Sequence, residues 1–140
     1  MLDFWVGSWK VYEAGKEVGT NRIEKVLDGC AVVENWKDAE GGEGRSLFYV
    51  QPTTGRWTQV WVTDRATAPG GLKEKVLVTR LPSGGTRFQG EIVRPGGRVV
   101  LDRTTLTPEP DGRVRQVIEI SRDGGDTWQA TFDAIYVRAQ

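Results

Sequence analysis

The chain contains no histidine, and Cys30 is its only cysteine. Without histidine there is no Ser-His-Asp or Cys-His nucleophile pair, no usual zinc site, and none of the commonest general base near neutral pH. A single cysteine forms no intramolecular disulfide and suits a reducing compartment better than a secreted one, so a cytoplasmic protein is expected, or a secreted one if a leader was trimmed. No apolar run approaches the ~20 residues that span a bilayer, and no basic and apolar leader precedes Phe4, so no membrane partner is expected. Net charge is missing too: 19 Lys plus Arg balance 19 Asp plus Glu, which leaves no electrostatic footprint for nucleic acid. The charges alternate in sign instead of forming blocks, a pattern that reads as solvated outer faces.

Glycine and tryptophan are plentiful, with 18 Gly and 6 Trp in 140 residues. Val, Ile, Thr and aromatic residues gather in ten runs: 4–13, 17–27, 30–38, 45–51, 56–64, 72–80, 86–94, 98–107, 113–121 and 127–138. Between them lie turn sequences such as Asp28-Gly29, Pro52 to Gly55, Pro69-Gly70-Gly71, Pro82 to Gly85, Pro95-Gly96-Gly97, Pro110-Asp111-Gly112 and Asp123-Gly124-Gly125. Glycine supplies positive φ in such turns and proline pre-sets them. The connections are too short for crossover helices, and no apolar helical period lasts three turns. The chain therefore reads as one all-β domain, 1–140, folded as an antiparallel up-and-down barrel of about ten strands like those of lipocalins and fatty-acid-binding proteins. Closure removes the exposed edges that an open meander would leave.

Hairpin register then decides which residues share the inner face. Across Asp28-Gly29, Leu27 is expected opposite Cys30, Ile23 opposite Glu34 and Asn21 opposite Trp36. Across Pro52 to Gly55, Val50 meets Trp57, Phe48 meets Gln59 and Ser46 meets Trp61. In the last hairpin Ile120 is set opposite Trp128, Ile118 opposite Ala130, Gln116 opposite Phe132 and Val114 opposite Ala134, with Arg115 facing Asp133 outside as a solvated ion pair. Asn21, Glu34, Gln59 and Gln116, joined by Arg103, then point into a cavity walled by Trp36, Phe48, Trp57, Trp61, Phe88, Phe132 and Tyr136. Mostly apolar walls with a few convergent polar groups are what small-molecule pockets have.

The leading expectation is non-catalytic binding of a small, partly apolar ligand by Asn21, Glu34, Trp36, Gln59, Trp61, Arg103, Gln116 and Tyr136, with no metal and no cofactor. One alternative is a filled barrel acting through an outer or homodimer surface, for which Leu47, Tyr49 and Val60 are available. Another is a carboxylate-based isomerase or hydrolase using Glu34, whose burial would raise its pKa.

Two short motifs stand out. Ser121-Arg122-Asp123-Gly124-Gly125-Asp126-Thr127-Trp128 resembles the Asp-box hairpin of sialidase-type propellers, where the motif is a structural turn; a single copy implies a hairpin and nothing more. Gly7-Ser8-Trp9 is similar to the G-x-W of lipocalins, in which the tryptophan closes the barrel floor under a basic residue of the last strand, here Arg138. The stretches Phe4 to Trp9, Asn21 to Cys30, Trp57 to Val62 and Asp111 to Gln116, followed by Asp123-Gly124-Gly125 and Thr127-Trp128, resemble a family of bacterial lipocalin-like proteins of undefined function over nearly the whole chain. The resemblance implies a calycin-type barrel and carries no ligand or chemistry onto these residues. Related nitrobindin-type barrels hold haem through a histidine, which this chain lacks, so histidine-ligated haem is not expected.

Overall fold

The computed structural model describes residues 1–64 and 72–140; the Pro69-Gly70-Gly71 turn lies outside them. Ten strands follow a short 3-10 turn at Asp3–Trp5: β1 (Gly7–Glu13), β2 (Lys16–Val26), β3 (Ala31–Asp38), β4 (Glu43–Gln51), β5 (Arg56–Thr63), β6 (Leu72–Arg80), β7 (Thr86–Val93), β8 (Val99–Pro108), β9 (Val114–Ser121) and β10 (Gln129–Arg138). Each strand pairs antiparallel with its neighbours in sequence and β1 closes on β10, an up-and-down barrel without a free edge. The largest shift is at the start of the first run: residues 4 to 6 lie outside the sheet, and the 3-10 turn carries Trp5 under the barrel.

Register follows the hairpins where no bulge intervenes. Ile23 pairs with Glu34 and Asn21 with Trp36, and Val50, Phe48 and Ser46 pair with Trp57, Gln59 and Trp61. Two details differ. Leu27 and Cys30 are not a strand pair: Leu27–Gly29 forms a 3-10 turn with Leu27 and Asp28 at positive φ, and the Cys30 N–H closes it on the Leu27 carbonyl at 3.1 Å. The last hairpin is shifted: Gln129 pairs with Ile120, and beyond an irregularity between Ala130 and Phe132 the partners become Phe132–Ile118, Ala134–Gln116 and Tyr136–Val114. Past that bulge the offset from the expected register is two residues, an even number, so the same side chains still share a face. Arg115 reaches Asp133 along a diagonal, 2.7 Å apart and exposed. The Asp-box segment builds the β9–β10 turn, with Asp123 accepting from Ser121 and Thr127 and the Trp128 indole donating to the Gly125 carbonyl.

One end of the barrel is solid. Leu2, Trp5, Trp9, Val11, Ile23, Phe48, Phe88, Leu106, Val114 and Tyr136 are all buried there. Trp5 meets Phe48 edge to face at 5.7 Å and Tyr136 at 6.0 Å, and Phe48 meets Phe88 at 5.3 Å. The Trp9 indole donates to the Trp5 carbonyl at 2.7 Å, which ties the plug to the first strand. Arg138 covers Trp9 at 4.2 Å from the ring and donates to the Val6 carbonyl at 2.9 Å. An exposed cation over an indole contributes about 0.5–1 kcal/mol. Arg138→Ala should therefore lower unfolding stability by about 1 kcal/mol; a neutral result in urea titration would show that the lid is idle.

Candidate functional site

The other half of the barrel is not filled. It encloses a cavity of about 210 Å³ lined by Glu34, Trp36, Gln59, Trp61, Lys73, Lys75, Thr104, Gln116, Ile118, Phe132 and Tyr136. Of these, Glu34, Gln59, Lys75, Thr104, Gln116 and Tyr136 are buried, whereas Trp36, Trp61, Lys73, Ile118 and Phe132 are half-buried and form the mouth. The cavity is thus polar at depth and aromatic at its rim. Trp36 and Phe132 meet edge to face across that rim at 6.2 Å. Trp61 leans over Gly44, where a Cβ would stand 2.1 Å from the ring, so only glycine at this strand position lets the indole lie against the wall.

The polar depth is one connected chain of hydrogen bonds. Gln59 Nε2 donates to Ser46 Oγ at 3.0 Å, and Ser46 donates to Glu34 Oε1 at 2.6 Å. Asn21 Nδ2 donates to Glu34 Oε2 at 2.7 Å and to the Tyr136 hydroxyl at 3.0 Å. Tyr136 in turn donates to Gln116 Oε1 at 2.8 Å. The four amide and acid side chains expected to converge do converge and largely satisfy one another, with Ser46 and Tyr136 as links, but Asn21 is not among the residues that line the cavity. Two amide carbonyl oxygens, Gln59 Oε1 and Asn21 Oδ1, are buried without a partner among the described residues. A buried acceptor left bare costs about 1–3 kcal/mol, and Gln59 lines the cavity, where a ligand donor would satisfy it.

Burial pushes the Glu34 carboxyl above its ordinary range, against the opposing pull of Ser46, Asn21 and the Lys75 charge. Burial likewise raises the Tyr136 phenol well above its usual value, and the neighbouring Glu34 adds to this. Both Glu34 oxygens are engaged by donors, whereas carboxylate catalysis would need this acid unpaired. A carboxyl raised in the folded state ionises first in the unfolded chain, so rising pH favours unfolding through this group. Glu34→Gln removes that penalty, and its stability relative to the parent should grow as the pH rises from the ordinary carboxylate range towards mildly alkaline conditions. Urea unfolding at both ends measures the gap; a gap that stays constant contradicts the assignment.

The charges show what the sequence reading missed. Lys75 is 4% exposed and Asp102 1% exposed, not solvated outer groups. Asp102 lies at ion-pair distance from Lys73, 2.8 Å, and Lys75, 3.1 Å. Lys75 Nζ donates to Thr104 Oγ1 at 2.7 Å. To reach β8 from β6 the Lys75 side chain crosses β7 at Gly90, where an added Cβ would sit 3.2 Å from Lys75 Cγ and 1.9 Å from the Glu74 carbonyl. Burial would raise the Asp102 carboxyl, but Lys75 and Lys73 outweigh it and hold it below its usual value.

Other expected site residues fall elsewhere. Arg103 alternates with the inward Asp102 and Thr104, so it lies on the outer face, paired with Glu119 at 3.0 Å and stacked 3.8 Å from the Trp128 ring. Phe48 and Phe88 belong to the solid end, and Trp57 packs against it. Of the expected walls, Trp36, Trp61, Phe132 and Tyr136 do line the cavity.

Fold and cavity together define a ten-stranded antiparallel barrel, plugged at one end by tryptophans and hollow towards the other. No protein-family model matches the chain, and no curated protein matches it. Among the described residues no helix is long and apolar enough to cross a membrane.

Proposed function

We propose that this protein binds a small, partly apolar molecule in the barrel cavity, as a lipocalin-like carrier or sensor. The observation that carries this is the unfilled space between an aromatic rim and a buried polar floor, with the Gln59 carbonyl bare at its wall. An empty apolar cavity of roughly 150 Å³ admits a benzene ring. About 210 Å³ therefore suits one ring, or a short chain, with one or two polar substituents. Trp36, Trp61 and Phe132 would hold the apolar body, while Gln59 would accept a hydrogen bond and the Gln116 amide N–H would donate one. Native mass spectrometry of the purified protein, repeated with added single-ring compounds, tests this. A stoichiometric adduct is expected; a bare mass throughout would contradict it.

A second reading, a homodimer, draws on the outer sheet, where Leu47 pairs with Val60 and Val62 with Leu72. Of these, Leu47, Val62 and Leu72 are exposed. Light scattering decides between monomer and dimer.

A further inference from the structure

We propose that Lys75 captures carbonyl compounds: its side-chain nitrogen condenses with a small aldehyde inside the cavity and holds it as an iminium beside Asp102. This rests on the cavity being a ligand site and names a class of ligand for it.

Position comes first. Lys10, Lys16, Lys25 and Lys37 are exposed and Lys73 is half-buried at the mouth, whereas Lys75 is buried and lines the cavity. An amine becomes nucleophilic when it is desolvated or set beside another cation, and Lys75 meets both conditions, with Lys73 sharing its carboxylate partner. Burial, with Lys73 adding to it and Asp102 opposing, brings the Lys75 ammonium down to about 8. About a tenth of it is then free amine at neutral pH, against well under ~1% for an ordinary lysine. Thr104 Oγ1, 2.7 Å from Nζ, fixes the nitrogen's place in the wall.

Second is the charge balance. The ammonium and the aldehyde give a protonated imine and water: a carbon–nitrogen double bond replaces the carbonyl, and two of the three N–H hydrogens leave with its oxygen. Charge is unchanged and nothing is oxidised or reduced. Buried Asp102 needs a cation beside it, since a buried charge stripped of its partner is strongly disfavoured. The iminium keeps that cation in place, so Asp102 favours the protonated adduct over its neutral form. The resulting ligand class is aldehydes of about one ring, with the carbonyl carbon at the polar depth and the ring against Trp61.

The test uses benzaldehyde with cyanoborohydride, which reduces the imine to a stable secondary amine, followed by intact mass and peptide mapping of the unaltered protein. Benzyl alcohol, which has the ring but no carbonyl, is the matched probe for simple occupancy, followed by the fluorescence of the rim tryptophans. The expected result is an adduct mapped to Lys75 and formed at least ~10-fold faster than at any other lysine, counted apart from label on the Met1 α-amine, with the fast Lys75 phase lost in Lys75→Arg. Mapping on the parent protein keeps the test independent of how that variant folds. If benzyl alcohol perturbs the tryptophans but the label spreads over Lys10, Lys16, Lys25, Lys37 or Lys73, carbonyl capture is overturned and the ligand site stands. If neither probe perturbs the tryptophans and no Lys75 adduct forms, both readings fall.

Discussion

Asp102→Asn should destabilise the barrel by about 3–5 kcal/mol, the cost of leaving a buried charge without its partner. The residue is 1% exposed and stands within ion-pair distance of both Lys73 and Lys75. Lys73 can turn towards solvent because it is at the mouth, but Lys75 cannot, being 4% exposed and pinned across Gly90. Most of the loss therefore comes from Lys75, which must either remain charged and buried without its carboxylate or give up its proton. Replacing both members, as Lys75→Met with Asp102→Leu, removes charge and partner together and should recover most of the stability. The parent depends on pH in the matching sense. Its lysine partners hold the Asp102 carboxyl below its ordinary value of 3.8, so its contribution is complete above that value and is lost as the pH falls through the lower folded value. Chemical denaturation of the three proteins at neutral pH checks the series; a loss below ~1 kcal/mol in Asp102→Asn would mean that solvent reaches the pair.

The second large effect separates filler from function. Trp5 is completely buried and contacts Phe48 and Tyr136 edge to face. Trp5→Ala should cost about 3–5 kcal/mol, as truncating a packed core aromatic does. Trp61 is half-buried, faces the cavity and leans on Gly44. Its truncation leaves a hole that solvent can enter from the mouth, so Trp61→Ala should cost at most ~1–1.5 kcal/mol. Ligand affinity should nevertheless drop by about 30-fold, equal to ~2 kcal/mol of lost aromatic contact. Equal destabilisation by the two substitutions, measured side by side by urea unfolding, would make Trp61 part of the core and the cavity an artefact of a loosely filled barrel.

Much of this was readable in the chain because β-structure writes its inner and outer faces at a period of two. Ten apolar runs became ten strands, and the two central hairpins fell in register since their turns carry no bulge. That alternation alone puts Asn21, Glu34, Gln59 and Gln116 on the inner face. The last hairpin departs from the expected register because its turn sets Gln129, not Trp128, opposite Ile120, and the bulge between Ala130 and Phe132 adds a second residue of offset, neither of which a local residue type announces. The charged wall was hidden for a different reason. β6 inverts the usual rule: Leu72 and Val78 face outward and are exposed, while Lys73 and Lys75 turn inward. Inward lysines become tolerable only through Asp102, which joins them from β8, two strands away in the sheet. Such a pairing cannot be read from spacing. Its one trace in the sequence is Gly90, a glycine in the middle of a strand, which signals a close approach. Arg103 failed as a site residue by the same parity: one position from Asp102, it belongs to the other face.

The most direct test of the ligand site is a two-dimensional nitrogen–proton NMR spectrum of the tryptophan indoles during titration with a panel of single-ring compounds, including benzaldehyde and benzyl alcohol. Movement of the Trp36 and Trp61 signals, with Trp5 and Trp9 unmoved, is the predicted result, because the first pair forms the rim and the second pair the plug. If no compound moves the rim pair, or if rim and plug shift together, the hollow end of this barrel is not a binding site.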